Sequence, residues 1–64
     1  MISFKPFRVF MAQNDLEDND LRRDLGFSND TITRLNKDRD VKLSTIERIC
    51  KFYKLDIEDV VKIK

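Results

Sequence analysis

An all-α domain built from short helices is the fold this sequence predicts, on three observations. One glycine and one proline stand in 64 residues, too few turn formers for a β-rich architecture. Apolar residues recur three and four apart in several stretches, which is the period of amphipathic helices. Finally, Leu25-Gly26-Phe27-Ser28 reads as a helix stop, a short turn and a helix start in immediate succession. Hydrophobic residues make up 41% of the chain and charged residues 39%, a balance that suits a folded helical domain and not a disordered one. The length, residues 1–64, is that of a single domain with a thin core.

Met1 to Phe4 reads either as a short extended arm or as the beginning of the first helix. If extended, its alternation would let it pair with Val61-Lys62-Ile63 as short terminal strands. Pro6 suits the first turn of a helix, where a backbone N–H is not needed. Phe7, Phe10 and Met11 follow at helical spacing up to about Asn14 and read as core, not as a ligand pocket. Asn14-Asp15 ends this helix, and Leu16 tucks into the core from the loop. A second helix begins near Asp18, which caps it, and Asp20 in its first turn suits the helix dipole.

Leu21 and Leu25 share one face of that second helix. Gly26 then ends it, because without a Cβ it enters the left-handed conformation freely. Ser28 is a good N-cap for a third helix, and Phe27 and Ile32 have the spacing of a hydrophobic staple that sets the entry angle. The third helix spans about Asn29 to Asn36 and turns Ile32 and Leu35 inward. Stop, turn and capped start together describe a helix-turn-helix. A charged loop, Lys37 to Lys42, leads to a fourth helix at Ser44–Tyr53, opened by a capping box of Ser44 and Glu47. Its buried stripe is Ile46, Ile49, Cys50 and Tyr53. Asp56 caps a short fifth helix, where Leu55 and Val60 repeat the staple spacing. Ile57, Val60, Val61 and Ile63 are either intramolecular core or part of a homodimer contact.

The composition excludes much chemistry. There is no histidine and a single cysteine, so neither an internal disulfide nor a usual zinc site is expected. No nucleophile stands with a base, and no glycine-rich phosphate loop or metal-ligand cluster occurs, so no enzyme, cofactor or small-molecule ligand is expected. Cys50, in an apolar setting, reads as packing and not as a reactive thiol. Apolar runs are too short to cross a membrane and no signal peptide is visible, which makes the cytoplasm the expected compartment. Net charge is only +1, from 13 basic and 12 acidic residues. The charges are unevenly spread. Residues 1–31 hold four basic and six acidic groups, a net of −2, and residues 32–64 hold nine and six, a net of +3.

The outward face of the third helix carries Asn29, Asp30, Thr33, Arg34 and Lys37. These are hydrogen-bonding side chains of the kinds that read base edges and grip phosphates. A helix that only faced solvent would more often carry Glu, Lys and Ala, which are better helix formers than Asn, Asp and Thr.

Leu21, Leu25-Gly26-Phe27-Ser28, Thr31-Ile32 and Arg34-Leu35 resemble the helix-turn-helix of the Cro and phage-repressor (XRE) family of regulators. Ser44 to Lys51, followed by Leu55-Asp56-Ile57-Glu58-Asp59-Val60-Val61, resembles that family's fourth and fifth helices. The resemblance covers nearly the whole chain and implies a five-helix, lambda-repressor-like DNA-binding domain. It also implies that Asn29, Asp30 and Arg34 reach the major groove and that the loop after the third helix follows the sugar-phosphate backbone. Side-chain shape then assigns roles. Arg34 pairs with guanine, Asn29 with adenine, and Asp30 either accepts from cytosine or merely serves the helix dipole. Thr33 touches a thymine methyl or a phosphate, and Asn36, Lys37, Arg39 and Lys42 are the loop's donors. With Ser28 at the cap, the expected DNA-binding set is Ser28, Asn29, Asp30, Thr33, Arg34, Asn36, Lys37 and Arg39.

Two positions depart from the resembling family. Asp18 stands where a glutamine commonly holds phosphate or base, and a carboxylate there would repel phosphate. Arg22 stands where a small alanine lets the two helices pack, so it must point outward or the crossing must open. The expected function is a sequence-specific regulator of transcription, a repressor, that binds double-stranded DNA as a homodimer. The alternative is a protein-interaction module on the same fold, an antirepressor or antitoxin-like partner, without DNA affinity of its own.

Overall fold

Left-handed residues punctuate the chain, and they fall at the ends of its helices. In the computed structural model, which describes residues 1–63, positive φ angles occur at Asp15, Gly26, Asp38 and Lys54. Each lies within two residues of the end of one of four α-helices: α1 (Lys5–Gln13), α2 (Asp18–Leu25), α3 (Asn29–Asn36) and α4 (Leu43–Tyr53). Asp tolerates this conformation better than most residues because its short side chain can bond locally. Gly26, at φ 68°, needs no such help. A Cβ built on it would meet nothing within 4 Å, so its role is conformational and not steric. Gly26→Val should therefore lower stability by about 1–2 kcal/mol through backbone strain alone, visible as a drop in melting temperature of about 4–8 °C per kcal/mol. An unchanged melting temperature would show that the turn tolerates a branched side chain.

Ser28 opens α3 as its N-cap, accepting the Thr31 N–H at 3.3 Å. Phe27 and Ile32, on either side of the cap, are both buried. The core draws on every part of the chain: Phe4, Phe7 and Met11, then Leu21, Leu25 and Phe27, Ile32 and Leu35, Ile46 and Ile49, and Val60. Leu16 packs against it from the loop, with its N–H bonded to the Met11 carbonyl at 2.8 Å. The termini meet. β1 (Ile2–Ser3) pairs antiparallel with β2 (Lys62–Ile63), Ile2 opposite Ile63.

Three elements differ from the sequence reading. The fifth helix is a single 3₁₀ turn, Ile57–Asp59, and not an α-helix, which leaves four α-helices among the described residues. Val60 is fully buried directly after it, and the chain must then run extended to reach β1. The β-branched run Val60, Val61, Ile63 favours that outcome. The capping box at Ser44 and Glu47 does not form. The helix starts one residue earlier, with Lys42 as its N-cap and no side-chain cap bond; Val41, half-buried against the core, draws the chain in before Ser44. Likewise Glu17, not Asp18, is the cap residue of α2, with its N–H donated to the Asp20 carboxylate at 2.8 Å. That bond, and then Arg23, hold the Asp20 carboxyl below the usual carboxylate range.

Candidate nucleic-acid interface

The inward pair Ile32 and Leu35 fixes the rotation of α3, and the other residues of the helix are exposed apart from the half-buried Thr31. Ser28, Asn29, Asp30, Thr33, Arg34, Asn36, Lys37 and Arg39 are all exposed, so none of the expected set is packed inside the domain. Several of these side chains are already engaged. Arg34 Nε donates to the Asp30 carboxylate at 3.0 Å, one helical turn away, and its Nη1 donates to the Asp40 carbonyl at 3.1 Å. The pair holds the guanidinium against the loop, yet Arg34 stays 45% exposed. Asn36 Nδ2 donates to the Asp18 carboxylate at 3.2 Å, tying the end of α3 to the start of α2. The Ser28 hydroxyl is spent on its cap. Arg22 points outward, as one of its two options required, and its Nε donates to Asn29 Oδ1 at 2.8 Å while its Nη1 donates to Asn19 Oδ1 at 2.6 Å.

The loop after α3 is more cationic than its sequence suggests. Asp38 turns inward, where its Oδ1 accepts the Phe4 N–H and the Arg8 Nη1, each at 2.7 Å. Its charge is thereby paired with Arg8 of α1. Among the described residues Lys37, Arg39 and Lys42 form no ion pair. They remain available to an anion. The Arg39 N–H closes the end of α3 on the Arg34 carbonyl at 2.9 Å.

Two arginines outside the helix-turn-helix hold its helices in place. Arg8, on α1, donates to the Leu35 carbonyl at 3.0 Å, and a cation at a helix C-terminus also suits the dipole. Arg48, on α4, donates to the Leu25 carbonyl at the end of α2 and lies over the Phe27 ring, 5.3 Å from its centroid. Sequence reasoning missed both. For Arg8 a signal existed: it lies four residues after Phe4 and three before Met11, on the apolar face, where an arginine needs a partner. Nothing in the spacing marks Arg48.

Other chemistry is weakly represented. Among the described residues no cluster of three or more His, Cys, Asp and Glu could hold a metal, and no helix is long and apolar enough to cross a membrane. Burial, and then Asp56 and Asp59, push the Cys50 thiol up from its ordinary value, which leaves less thiolate at neutral pH. Burial raises the Tyr53 phenol as well, and its ring packs against Phe7, Phe10 and Phe52.

Comparison with known proteins agrees with this geometry. The family model for the Cro/C1-type helix-turn-helix DNA-binding domain matches residues 7–64. A crystal structure of the transcriptional regulator VanUg superimposes with a TM-score of 0.88 over 95% of this chain and 81% of that one, at 24% sequence identity; at that identity the likeness speaks for the fold. None of the curated proteins matches the chain.

Proposed function

The chain belongs to the Cro/C1-type helix-turn-helix DNA-binding domains, and from that premise we propose that it is a transcriptional repressor acting in the cytoplasm on double-stranded DNA. The observation that carries the reading is the exposed outer face of α3, with Asn29, Thr33 and Arg34 uncovered and the cations Lys37, Arg39 and Lys42, without an ion pair among the described residues, beyond it. In this reading α3 enters the major groove, α2 crosses above it and the loop follows the phosphates. Ser28 and Asn36 lie at the two ends of the contact, and Asp30 acts by bracing Arg34. A module this small buries little surface on DNA, so operator-grade affinity calls for a dimer. Ile57 and Ile63, 55% and 80% exposed, supply apolar surface for a second copy. Two copies would present two α3 helices to a palindromic site one turn apart. Repression then follows from occupying the promoter, with no covalent chemistry.

Two variants separate base reading from phosphate binding. Arg34→Ala should cost about 1–3 kcal/mol on the cognate site and relax preference at one base pair. Equal losses on cognate and random DNA would remove Arg34 from the base-reading set. Lys37→Ala should weaken binding to every sequence and flatten the dependence of log affinity on log salt by about one unit. An unchanged slope would take Lys37 off the phosphates.

The near-neutral net charge of +1 favours a second reading, a protein-interaction module of the antirepressor or antitoxin-like kind. Affinity for random duplex measured against salt decides between them. Steep loss with rising salt supports DNA binding, and no measurable affinity at low salt supports the module.

A further inference from the structure

We infer that Arg22 sets which base Asn29 reads, turning the first position of α3 from an adenine reader into a guanine reader; this rests on the major-groove reading above. Arg22 Nε lies 2.8 Å from the Asn29 side chain. A guanidinium has only donors, so the atom facing it must be the amide oxygen, and the orientation of the Asn29 amide is thereby fixed. The same cation holds Asn19 Oδ1 through Nη1 at 2.6 Å, which braces it from α2 while it reaches across to α3.

The bond has a chemical consequence for recognition. Asparagine pairs with adenine by accepting from the N6 amino group while donating to N7. With its oxygen held by a cation, Asn29 offers chiefly its two N–H donors. The neighbouring positive charge also disfavours an incoming amino group of adenine or cytosine. Guanine presents acceptors at N7 and O6 across the same edge, and so matches a donor-only side chain next to a cation. Arg22 and Asn29 are exposed, so the pair faces solvent and not the core.

The test is selection from a random duplex pool with the wild-type protein and with Asn29→Ala, Arg22→Ala and Arg22→Lys, alongside their melting temperatures. Asn29→Ala identifies the position that Asn29 reads, because preference there disappears. The wild type should select guanine at that position. Arg22→Ala, melting as the wild type does, should shift the adenine-to-guanine ratio there by about tenfold towards adenine. Arg22→Lys, which keeps a cationic donor, should retain guanine. Adenine in the wild-type selection, the same base with Arg22→Ala, or a uniform loss over all positions with Asn29→Ala would each overturn the inference while leaving DNA binding intact. Failure to enrich any sequence would overturn the DNA reading itself, and this inference with it.

Discussion

Replacing Phe4 with alanine should lower the unfolding free energy by about 3–5 kcal/mol, the range for truncating a buried aromatic side chain. Phe4 is fully buried and serves three structures at once. Its ring fills the core, its carbonyl accepts the Arg8 N–H at 3.0 Å to start α1, and its own N–H donates to Asp38 at 2.7 Å. A domain of this size holds roughly 3–10 kcal/mol of stability in total. The variant should therefore sit near its unfolding midpoint at room temperature, which a urea titration followed by helical circular dichroism would read directly. A loss under about 1 kcal/mol would place the ring at the surface, since changes there move stability little.

Asp38→Ala is expected to be nearly as damaging, although it lies in a loop. Surface ion pairs alone contribute little, and Arg8 and Asp38 are a third or less exposed. Hydrogen bonds to a charged group are worth about 1.5–3 kcal/mol, and here one carboxylate oxygen serves both the Phe4 N–H and Arg8. Alanine also tolerates the left-handed φ of 56° less well than aspartate. The combined loss should be about 2–3 kcal/mol by thermal melting. Asp38→Asn should lose less, because it keeps an acceptor and the backbone tolerance. Binding to DNA should weaken in Asp38→Ala even well below its melting temperature, because Arg8 would lose the contact that holds it against the end of α3. A melting temperature within about 2 °C of the wild type would contradict this role, given the 4–8 °C expected per kcal/mol.

How much of this was legible in the sequence depends on the reach of each interaction. The helix-turn-helix could be read because its parts are local. Gly26, Ser28 and the pair Phe27 and Ile32 act over a handful of residues, and each follows a spacing rule. The clamps could be read at most in part: the place of Arg8 on the apolar face signals that it needs a partner, but not which one. Arg8 meets Asp38 across 30 positions and Arg48 meets Leu25 across 23, and no local pattern links such residues. The start of α4 was misplaced because packing of Val41 outweighed a good local cap at Ser44. The fifth helix shortens to one 3₁₀ turn because Val60 is buried directly after it and the chain then runs extended into β2 at Lys62–Ile63, a demand no local spacing displays. On the outer face of α3, residue identities were plain but their internal bonds were not. Arg22, seven positions before Asn29, engages it only because the turn folds α3 back beside α2.

The most direct test is to titrate isotope-labelled protein with a short duplex and record which backbone amides shift. If α3 is the reading element, perturbations should cluster from Ser28 to Arg39, while Phe52, Ile57 and Ile63 stay still with a duplex too short for two copies. Shifts confined to Phe52, Ile57 and Ile63, with Asn29, Arg34 and Lys37 unmoved, would contradict it.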